Sequence, residues 1–313
     1  MNLYFAPLEG IGGYIYRNAQ ADCFSRADKY FSPFLAPKLK RSISSKEFRD
    51  INPENNSNIY LVPQIMANNA EVFIKTAKEL KSLGYEEVNL NLGCPSPTVV
   101  TKYRGAGFLA KPRELEVFLE EIFEKSDVKI SVKTRLGMDD DQEFPRILEI
   151  YNRFPLEELI IHPRVQKDYY KNTPRREMFL YAQKRAKFPL VYNGDVFCKQ
   201  DYGEIQELFG DITVMLGRGV LANPGLFGEI REEKTLTKEG LYVFHNRILS
   251  DYAEVMSGEK NVLFKMKELW FYMADMFPGS EKYIKKIRKA QHLGEYRALV
   301  ESLFAGGSFI NCK

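Results

Sequence analysis

The sequence predicts an α/β protein built as a (β/α)₈ TIM barrel and followed by a small all-helical carboxyl-terminal domain. Eight short apolar segments suited to β-strands occur before residue 218, and patterns with the period of a helix separate most of them. Eight strands alternating with helices are the pattern of this barrel. Strand signals stop at about Glu232, so we predict a barrel domain at residues 1–231 and a helical domain at residues 232–313.

The strands and helices of the barrel are placed by hydrophobic spacing. The eight predicted strands are Leu3–Ala6, Lys29–Leu35, Ile59–Met66, Glu87–Gly93, Lys129–Arg135, Glu158–Arg164, Leu190–Asp195 and Ile212–Gly217. The clearest helical stripe consists of Leu115, Phe118, Leu119, Ile122 and Phe123. An open doubly wound sheet is the alternative. It is expected to carry a G-x-G-x-x-G turn after its first strand, and Gly10, Gly12 and Gly13 lack that spacing.

The helical domain begins after a polar boundary, REEKTLTKEG, at residues 231–240. Its predicted helices are Leu241–Met256, Val262–Met276, Glu281–Ala290 and Glu295–Phe304. Its two histidines, His245 and His292, lie on charged stretches, so we predict that both are at the surface.

The composition is that of a soluble globular protein, with 44% hydrophobic and 28% charged residues. The four cysteines are scattered, which argues against a metal site or a disulfide framework and fits a reducing compartment. No signal peptide is visible, and no apolar run approaches the roughly 18–20 residues of a membrane span. We therefore expect a cytoplasmic protein without membrane contact. The sequence does not determine the oligomeric state, for which a monomer is the expectation.

The net charge is +3, and all of the excess positive charge lies after residue 230. A basic strip on one predicted helix consists of Lys282, Lys285, Lys286, Arg288 and Lys289. A charged helix is often only a solvated face. A surface that contacts phosphates is the other interpretation, and both stay open at this point.

The stretch Val88–Ser96, VNLNLGCPS, combines a strand with an abrupt turn. Apolar residues alternate with Asn89 and Asn91, and the strand then breaks at Gly93, Cys94 and Pro95. Glycine and proline hold the chain in a sharp turn, which places Cys94 at the carboxyl end of the strand. There, a thiol can act on a polar planar ligand. The alternative is a small residue that fills a turn.

In this type of barrel the active site lies at the carboxyl ends of the strands. The residues predicted at that rim are Ala6, Pro7, Leu8, Gln64, Asn91, Cys94, Lys133, Arg135, His162, Arg164, Asn193, Gly194, Asp195, Gly217 and Arg218. Barrels commonly bind phosphate at the loops after strands 7 and 8, beside a short extra helix. The Asn-Gly-Asp and Gly-Arg-Gly loops predict such a site, and Asn223-Pro224 is expected to begin the helix.

Lys133 and His162 are candidate partners for an electron-rich ring. A lysine at the inner end of a strand is costly to bury without a partner. A salt bridge to an acid is the alternative for Lys133, and a hydrogen-bonded core position is the alternative for His162. Together, they can bind a reduced, anionic ring.

Seven motifs in order resemble those of the tRNA-dihydrouridine synthases. They are APLEG, PQIM, NLNLGCPS with a following GAGFL, SVKTRLG, IIHPR, NGD and GRG. The similarity extends over residues 1–230, and the helical carboxyl-terminal domain is also similar. The resemblance implies an enzyme that uses FMN, with NADPH as electron source, to reduce the C5–C6 double bond of chosen uridines in tRNA.

The resemblance also implies roles for the matching residues. Cys94 is expected to be the general acid that protonates C5, with Asn91 and Arg135 as substrate contacts. Gln64, Lys133 and His162 are expected to contact the flavin ring, beneath which Ala6, Pro7 and Leu8 pack. The ribityl and phosphate site is expected to comprise Asn193, Gly194, Asp195, Gly217 and Arg218. The basic strip Lys282–Lys289 is expected to bind tRNA.

The implied chemistry is consistent with these residue types. A thiol with a pKa of about 8.5 is mostly protonated at neutral pH and can donate a proton. The uridine must leave its stack to react, at a cost of a few kcal/mol that a basic RNA-binding domain can offset. The loop Lys167–Asn172, KDYYKN, departs from the pattern and is expected to affect substrate choice.

Two other functions remain as alternatives. One is a small-molecule FMN barrel of the dihydroorotate dehydrogenase type, for which a basic helical tail has no purpose. The other is an RNA-binding barrel without catalysis, against which Cys94, Lys133 and His162 argue. The sequence does not show which uridine is modified or whether NADPH is preferred to NADH.

Overall fold

The computed structural model describes residues 1–311 and contains a sheet of parallel strands with the order β3-β2-β1-β9-β8-β7-β6-β5-β4. The strands are β1 Leu3–Phe5, β2 Lys29–Phe31, β3 Leu61–Val62, β4 Gln64–Ile65, β5 Glu87–Leu92, β6 Lys129–Thr134, β7 Leu159–Ile161, β8 Leu190–Tyr192 and β9 Thr213–Leu216. The two ends of this order, β3 and β4, are halves of one predicted strand that is interrupted at Pro63, which has no backbone N–H. The sheet therefore closes on itself, and the prediction of an eight-stranded barrel is confirmed.

Helices alternate with the strands of the barrel and then continue to the end of the described chain. Before residue 232 they are α1 Tyr14–Cys23, α2 Ser45–Ile51, α3 Ala70–Ser82, α4 Pro97–Val100, α5 Pro112–Lys125, α6 Phe144–Tyr151, α7 Arg176–Gln183, α8 Lys199–Phe209, α9 Arg218–Ala222 and α10 Leu226–Ile230. After it they are α11 Lys238–Val255, α12 Glu259–Leu269, α13 Glu281–Lys289 and α14 Leu293–Gly306. Within residues 1–311, no helix is both long enough and apolar enough to cross a membrane.

Apolar side chains from six of the nine strands meet in the barrel interior. Its central cluster consists of Tyr4, Ala6, Phe31, Val62, Ile160, Val191 and Met215, all buried. Side chains alternate between the two faces of a strand. The next residue that faces inward therefore lies two positions further along each strand. On several strands this residue is polar and lies at the carboxyl end, as at Gln64, His162 and Asn193.

Three predictions for the later part of the chain are wrong. The predicted helix Val262–Met276 ends at Leu269, because Trp270 leaves the helix to bury its indole, whose N–H donates to the Tyr296 hydroxyl at 2.8 Å. His245 is buried, with Nε2 2.7 Å from that hydroxyl, whereas His292 is exposed as predicted. Helix α10 begins at Leu226 rather than at Asn223 and Pro224, since Asn223 Oδ1 accepts the Gly225 N–H in a turn.

The internal contacts divide the chain into two compact units. The first comprises residues 1–7, 29–194 and 209–215, and it contains the strands of the barrel except for the last residue of β9. The second comprises residues 8–28, 195–208 and 216 onward, with helices α11 to α14. The second unit thus includes three stretches from before residue 231, namely 8–28, 195–208 and 216–230, and the boundary at residues 231–232 stays a prediction.

Candidate active site

In the first unit, polar side chains of neighbouring strands face one another at the mouth of the barrel. The registers of β5 and β6 pair Asn89 with Ser131 and Asn91 with Lys133. Gln64 on β4 pairs with Asn89 in the same way. The alternation that buries leucine and valine on the outer face of these strands therefore brings five polar side chains to the inner face.

Four of these side chains form a continuous run of hydrogen bonds, which we call the amide chain: Ser131, Asn89, Gln64 and Asn91. Asn89 donates to Ser131 Oγ at 3.0 Å and accepts from Gln64 at 2.8 Å. Gln64 in turn accepts from Asn91 Nδ2 at 2.7 Å. Since each amide both donates and accepts, the chain fixes the orientation of every amide in it.

The amide chain ends at the turn that carries Cys94. Asn91 Oδ1 accepts the backbone N–H groups of Gly93 at 3.1 Å and Cys94 at 2.9 Å. The Cys94 carbonyl accepts the Ala106 N–H at 3.0 Å. Gly105 has a φ of +53° and lies so close that a Cβ there would be 2.8 Å from the Cys94 oxygen. The thiol is thus half-buried on a turn that both the strand and the following glycine loop hold.

Arg135 supports the same turn from β6. Its guanidinium donates to the backbone carbonyls of Gly93 at 3.0 Å, Val165 at 2.9 Å and Tyr169 at 2.9 Å. The side chain is buried, and its predicted contact with substrate stays a prediction. The predicted contact of Asn91 with substrate also stays a prediction, because the nitrogen and the oxygen of its side-chain amide already form hydrogen bonds within the protein.

Lys133 lies on the inner face of β6 beside these groups. Burial and the nearby Arg135 guanidinium lower the pKa of Lys133 to about 7, with a smaller opposing effect from Cys94. No ion pair joins Lys133 to a carboxylate anywhere in residues 1–311. The salt bridge considered as the alternative for this lysine is therefore not observed, and its amine is available to an electron-rich ligand.

His162 follows β7 and is also buried. Its Nε2 lies 3.0 Å from Nη1 of Arg164, and a guanidinium can only donate. In this contact Nε2 is therefore the acceptor. The exposed Tyr170 ring lies 5.9 Å from the imidazole and 5.4 Å from the Arg135 guanidinium.

The loop Lys167–Asn172 is anchored so that its two tyrosines remain exposed. Asp168 is buried and accepts from Val165 N at 3.1 Å, from Asn172 and from Arg175. These hydrogen bonds and the Arg175 ion pair lower the pKa of Asp168 against the opposing effect of burial. Tyr169 takes a φ of +50°, which is uncommon outside glycine.

The residues predicted to bind the ribityl and phosphate groups are divided between the two units. In the first unit, Asn193 Nδ2 donates to the Met215 carbonyl at 2.8 Å, and the Tyr192 ring leaves no room for a Cβ at Gly194. In the second unit, Arg218 pairs with Asp195 at 2.5 Å, with both side chains about one-third exposed. Gly217 directly precedes the helix that Arg218 begins. Arg218 thus already has an acidic partner with which an incoming phosphate would compete.

The three residues after the first strand differ in exposure. Ala6 is buried in the first unit, and Pro7 is half-buried beside it in sequence. Leu8 belongs to the second unit, where its carbonyl accepts the Gly12 N–H at 2.8 Å.

The predicted basic strip forms most of α13 in the second unit. All five of its cations are exposed, whereas Ile284 and Ile287 of the same helix are buried. The cations lie on two faces. Lys285, Arg288 and Lys289 border a groove, and Lys286 instead lies 5.9 Å from the Tyr283 ring.

Asn89 and Ser131 were missed as members of the site. Neither was assigned a role in the site, because each lies two positions before a rim residue of the same strand and therefore deeper in the barrel. The signal that could have found them is the period of two in NLNL and SVKT, which places Asn89 with Asn91 and Ser131 with Lys133 on one face.

The comparison with protein families identifies the class of protein. A sequence model of the family described as Dihydrouridine synthase (Dus) matches residues 5–306, which is nearly the whole chain. The chain therefore belongs to the dihydrouridine synthase family. The predictions of a family member and of an enzyme that reduces uridine to dihydrouridine in tRNA are confirmed.

Curated relatives are similar over most of their length. A probable tRNA-dihydrouridine synthase 1 of Synechocystis sp. is 24% identical over 95% of this chain and 84% of the relative. A probable tRNA-dihydrouridine synthase of Staphylococcus aureus is 25% identical over 96% of this chain and 92% of the relative. A tRNA-dihydrouridine(16) synthase of Neisseria meningitidis is 24% identical over 76% of this chain and 74% of the relative.

Solved structures with a similar fold include an old yellow enzyme homologue and a morphinone reductase. The old yellow enzyme homologue from Zymomonas mobilis has a TM-score of 0.53 at 13% identity, over 75% of this chain and 90% of that one. Morphinone reductase in complex with tetrahydroNAD has a TM-score of 0.51 at 13% identity, over 75% of this chain and 88% of that one. At this identity the likeness shows the barrel fold.

Proposed function

We propose that this dihydrouridine synthase holds FMN at the mouth of its barrel, receives electrons from NADPH and uses Cys94 as the proton donor to uracil C5. The observation that supports the proposal is the placement of Cys94 on a braced turn beside an unpaired Lys133. In a barrel of this type, that end of the strands carries the chemistry.

The residues at the mouth fit a flavin ring. The pKa of Lys133 is lowered to about 7 in the protein alone. An electron-rich ring beside the amine would raise this pKa and favour the protonated form. The buried His162, at the end of β7, would also contact the ring. Gln64 belongs to the amide chain on β4, on the same side of Lys133 as β5, and Ala6 contributes an apolar surface. Beyond the mouth, Asn193, Gly194, Asp195, Gly217 and Arg218 would hold the ribityl and phosphate groups.

Reduction of uracil requires two hydrogens at adjacent carbons. A bound flavin supplies the hydride that adds to C6. Cys94 supplies the proton that adds to C5, so the C5–C6 double bond becomes a single bond and the thiol becomes a thiolate. A positioned general acid typically contributes 10²–10⁴-fold to the rate. Asn91 and Arg135 fix the turn on which the thiol stands, and they would contact the uracil from that position.

The experiment that tests this function uses purified protein and tRNA. The protein should be yellow and should release FMN on denaturation. With NADPH it should convert uridine to dihydrouridine in tRNA from a strain that lacks this gene, as detected by mass spectrometry. Release of FAD, or no flavin after reconstitution, would contradict the cofactor assignment. Oxidation or reduction of free orotate or dihydroorotate, with tRNA unchanged, would favour the small-molecule alternative.

The phosphate site has its own test. Arg218→Ala should weaken flavin retention by about 1.5–3 kcal/mol, since it removes a charge-assisted contact. Equal flavin retention by wild type and Arg218→Ala would place the phosphate elsewhere.

A further inference from the structure

The second unit contains a groove that the sequence did not predict. It has a volume of about 730 Å³, within the range of small-ligand sites, and it lies between α13 and the segment 267–278. Buried Phe277 and Ile284 contribute to its lining, so the groove has an apolar surface.

The charge of this groove favours an anion. Lys285, Arg288 and Lys289 line it from one face of α13, at the spacing i, i+3, i+4 that brings helix side chains together. Within residues 1–311, none of these three cations forms an ion pair with a carboxylate. Asp275 and Glu281 also line the groove, but basic residues outnumber them.

An exposed aromatic ring lies beside these cations. Phe271 is 62% exposed, and the guanidinium carbon of Arg288 lies only 3.7 Å from the centre of its ring. The contact already holds the guanidinium against the ring. Arg288 therefore loses less side-chain conformational entropy when a ligand binds.

We propose that this groove binds an unstacked nucleotide of RNA, with the base on the Phe271–Arg288 pair and the phosphates on Lys285 and Lys289. An unpaired base presents a flat apolar face, and aromatic rings and guanidinium planes both stack on it. Duplex RNA keeps its bases stacked on each other, so it has no free base face to stack on this pair. The proposal rests on the proposed function, because it takes the enzyme's own tRNA as the RNA.

The test compares two conservative variants in the full-length, flavin-loaded protein. Phe271→Leu keeps an apolar side chain but removes the aromatic face. Phe264→Leu is the matched control, because Phe264 is 63% exposed and has Lys265 at 5.6 Å, but it does not line the groove. The probes are a fluorescently labelled single-stranded RNA of about ten nucleotides, a blunt RNA hairpin whose two strands are joined by a linker without bases, and whole tRNA.

We expect Phe271→Leu to bind the single-stranded RNA about 10-fold more weakly and the hairpin with nearly unchanged affinity. Phe264→Leu should bind both as wild type does. Arg288→Lys keeps the charge but loses the flat guanidinium, so it should weaken single-strand binding while leaving the salt dependence unchanged. Equal losses on both RNAs, or no loss for Phe271→Leu, would overturn the nucleotide site.

The outcome can be separated from a failure of the proposed function. Flavin absorbance and dihydrouridine formation by the wild type are measured in the same preparations. If the wild type makes dihydrouridine and Phe271→Leu shows an unchanged KM for tRNA, the groove proposal alone fails. If the wild type makes no dihydrouridine although Phe271→Leu lowers its RNA affinity, the proposed function fails and the groove proposal survives as an RNA site.

Discussion

The two ends of the barrel each contain an inward lysine, and the two lysines have opposite surroundings. At the amino-terminal end, Lys29 pairs with Glu87 at 2.8 Å and Glu158 at 3.3 Å, and Tyr4 donates to Glu158 at 3.0 Å. At the carboxyl-terminal end, Lys133 is surrounded by amides, a thiol and a second cation. One lysine is neutralised by acids within the fold, and the other is not.

The pKa values of the two lysines shift in opposite directions as a result. Burial by itself lowers the pKa of Lys29, but the charges of Glu158 and Glu87 outweigh it, so the net shift is upward. Burial also lowers the pKa of Lys133, and there the Arg135 guanidinium lowers it further, to about 7. Burial by itself lowers the pKa of both lysines, so burial alone does not distinguish a candidate functional lysine. The absence of a compensating acid beside Lys133 distinguishes it from Lys29.

The largest expected effect is at the carboxyl-terminal end, on Cys94. Cys94→Ala should reduce uridine reduction by about 10²–10⁴-fold, because the general acid is lost, while flavin reduction by NADPH stays near the wild-type rate. Stopped-flow absorbance separates the two half-reactions by following flavin bleaching and then its recovery on addition of tRNA. Cys198→Ala, at another half-buried cysteine, is the control. Wild-type reoxidation by Cys94→Ala would show that the proton comes from elsewhere.

The next effect is at the amino-terminal end. Lys29→Met leaves two buried carboxylates without their cation and should lower the free energy of unfolding by about 3–5 kcal/mol. Activity per folded molecule should not change, since this end of the barrel carries no chemistry. Urea unfolding and the specific rate measure the two quantities. If Lys29→Met were stable but inactive, the assignment of stability to the amino-terminal end and of chemistry to the carboxyl-terminal end would be contradicted.

Lys133→Met should have the reverse pattern. It removes a buried charge that has no acidic partner, so the flavin-free protein should be as stable as wild type or more stable. Flavin binding should weaken by about 1.5–3 kcal/mol, the usual contribution of a hydrogen bond to a charged group. Flavin titration gives the affinity, with Lys129→Met on the same strand as an exposed control. A large loss of stability without loss of flavin affinity would assign Lys133 to the core.

The smallest effect is on pH dependence, where the two lysines should again differ. The folded pKa of Lys133 is about 7 and its unfolded value is 10.5, so between these pH values the unfolded chain binds more protons and stability rises with pH. The stability gained by Lys133→Met in flavin-free protein should therefore shrink from pH 7 to pH 9. The folded pKa of Lys29 lies above 10.5, so its contribution is fully present below that value. The cost of Lys29→Met should stay constant over the same range, and a parallel change in both variants would contradict these assignments.

Much of the fold could be predicted because its signals are local. All eight strands occur within their predicted segments, and the ends of the elements differ by a few residues. The helix Val262–Met276 was predicted too long, because periodicity cannot show that Trp270 leaves the helix to bond Tyr296. His245 was placed at the surface for a similar reason. Asn246 and Arg247 follow it in sequence, but its neighbours in space are Trp270, Tyr296 and Phe304.

Of the candidate site, the sequence predicted the residue types and their places at the ends of the strands. It did not predict their partners. Arg135 was expected to face the substrate, and it is buried against three carbonyl groups. Asn91 was expected to position the uracil, and its amide holds the Cys94 turn. Asn89 was noted beside Cys94 but given no role, and Ser131 was not predicted at all, because only the register between strands shows that their side chains meet.

The sequence by itself determined the order and number of strands, the turn that carries Cys94 and the concentration of positive charge after residue 230. Each of these depends on residues that lie within a few positions of one another. Tertiary structure alone decided which buried polar groups are neutralised and which are left available. Gln64 and Asn91 are 27 positions apart, and Lys29 and Glu158 are 129 positions apart. The pKa of a buried group depends on the nearest charges in space, so the contrast between Lys29 and Lys133 arises only when the barrel closes.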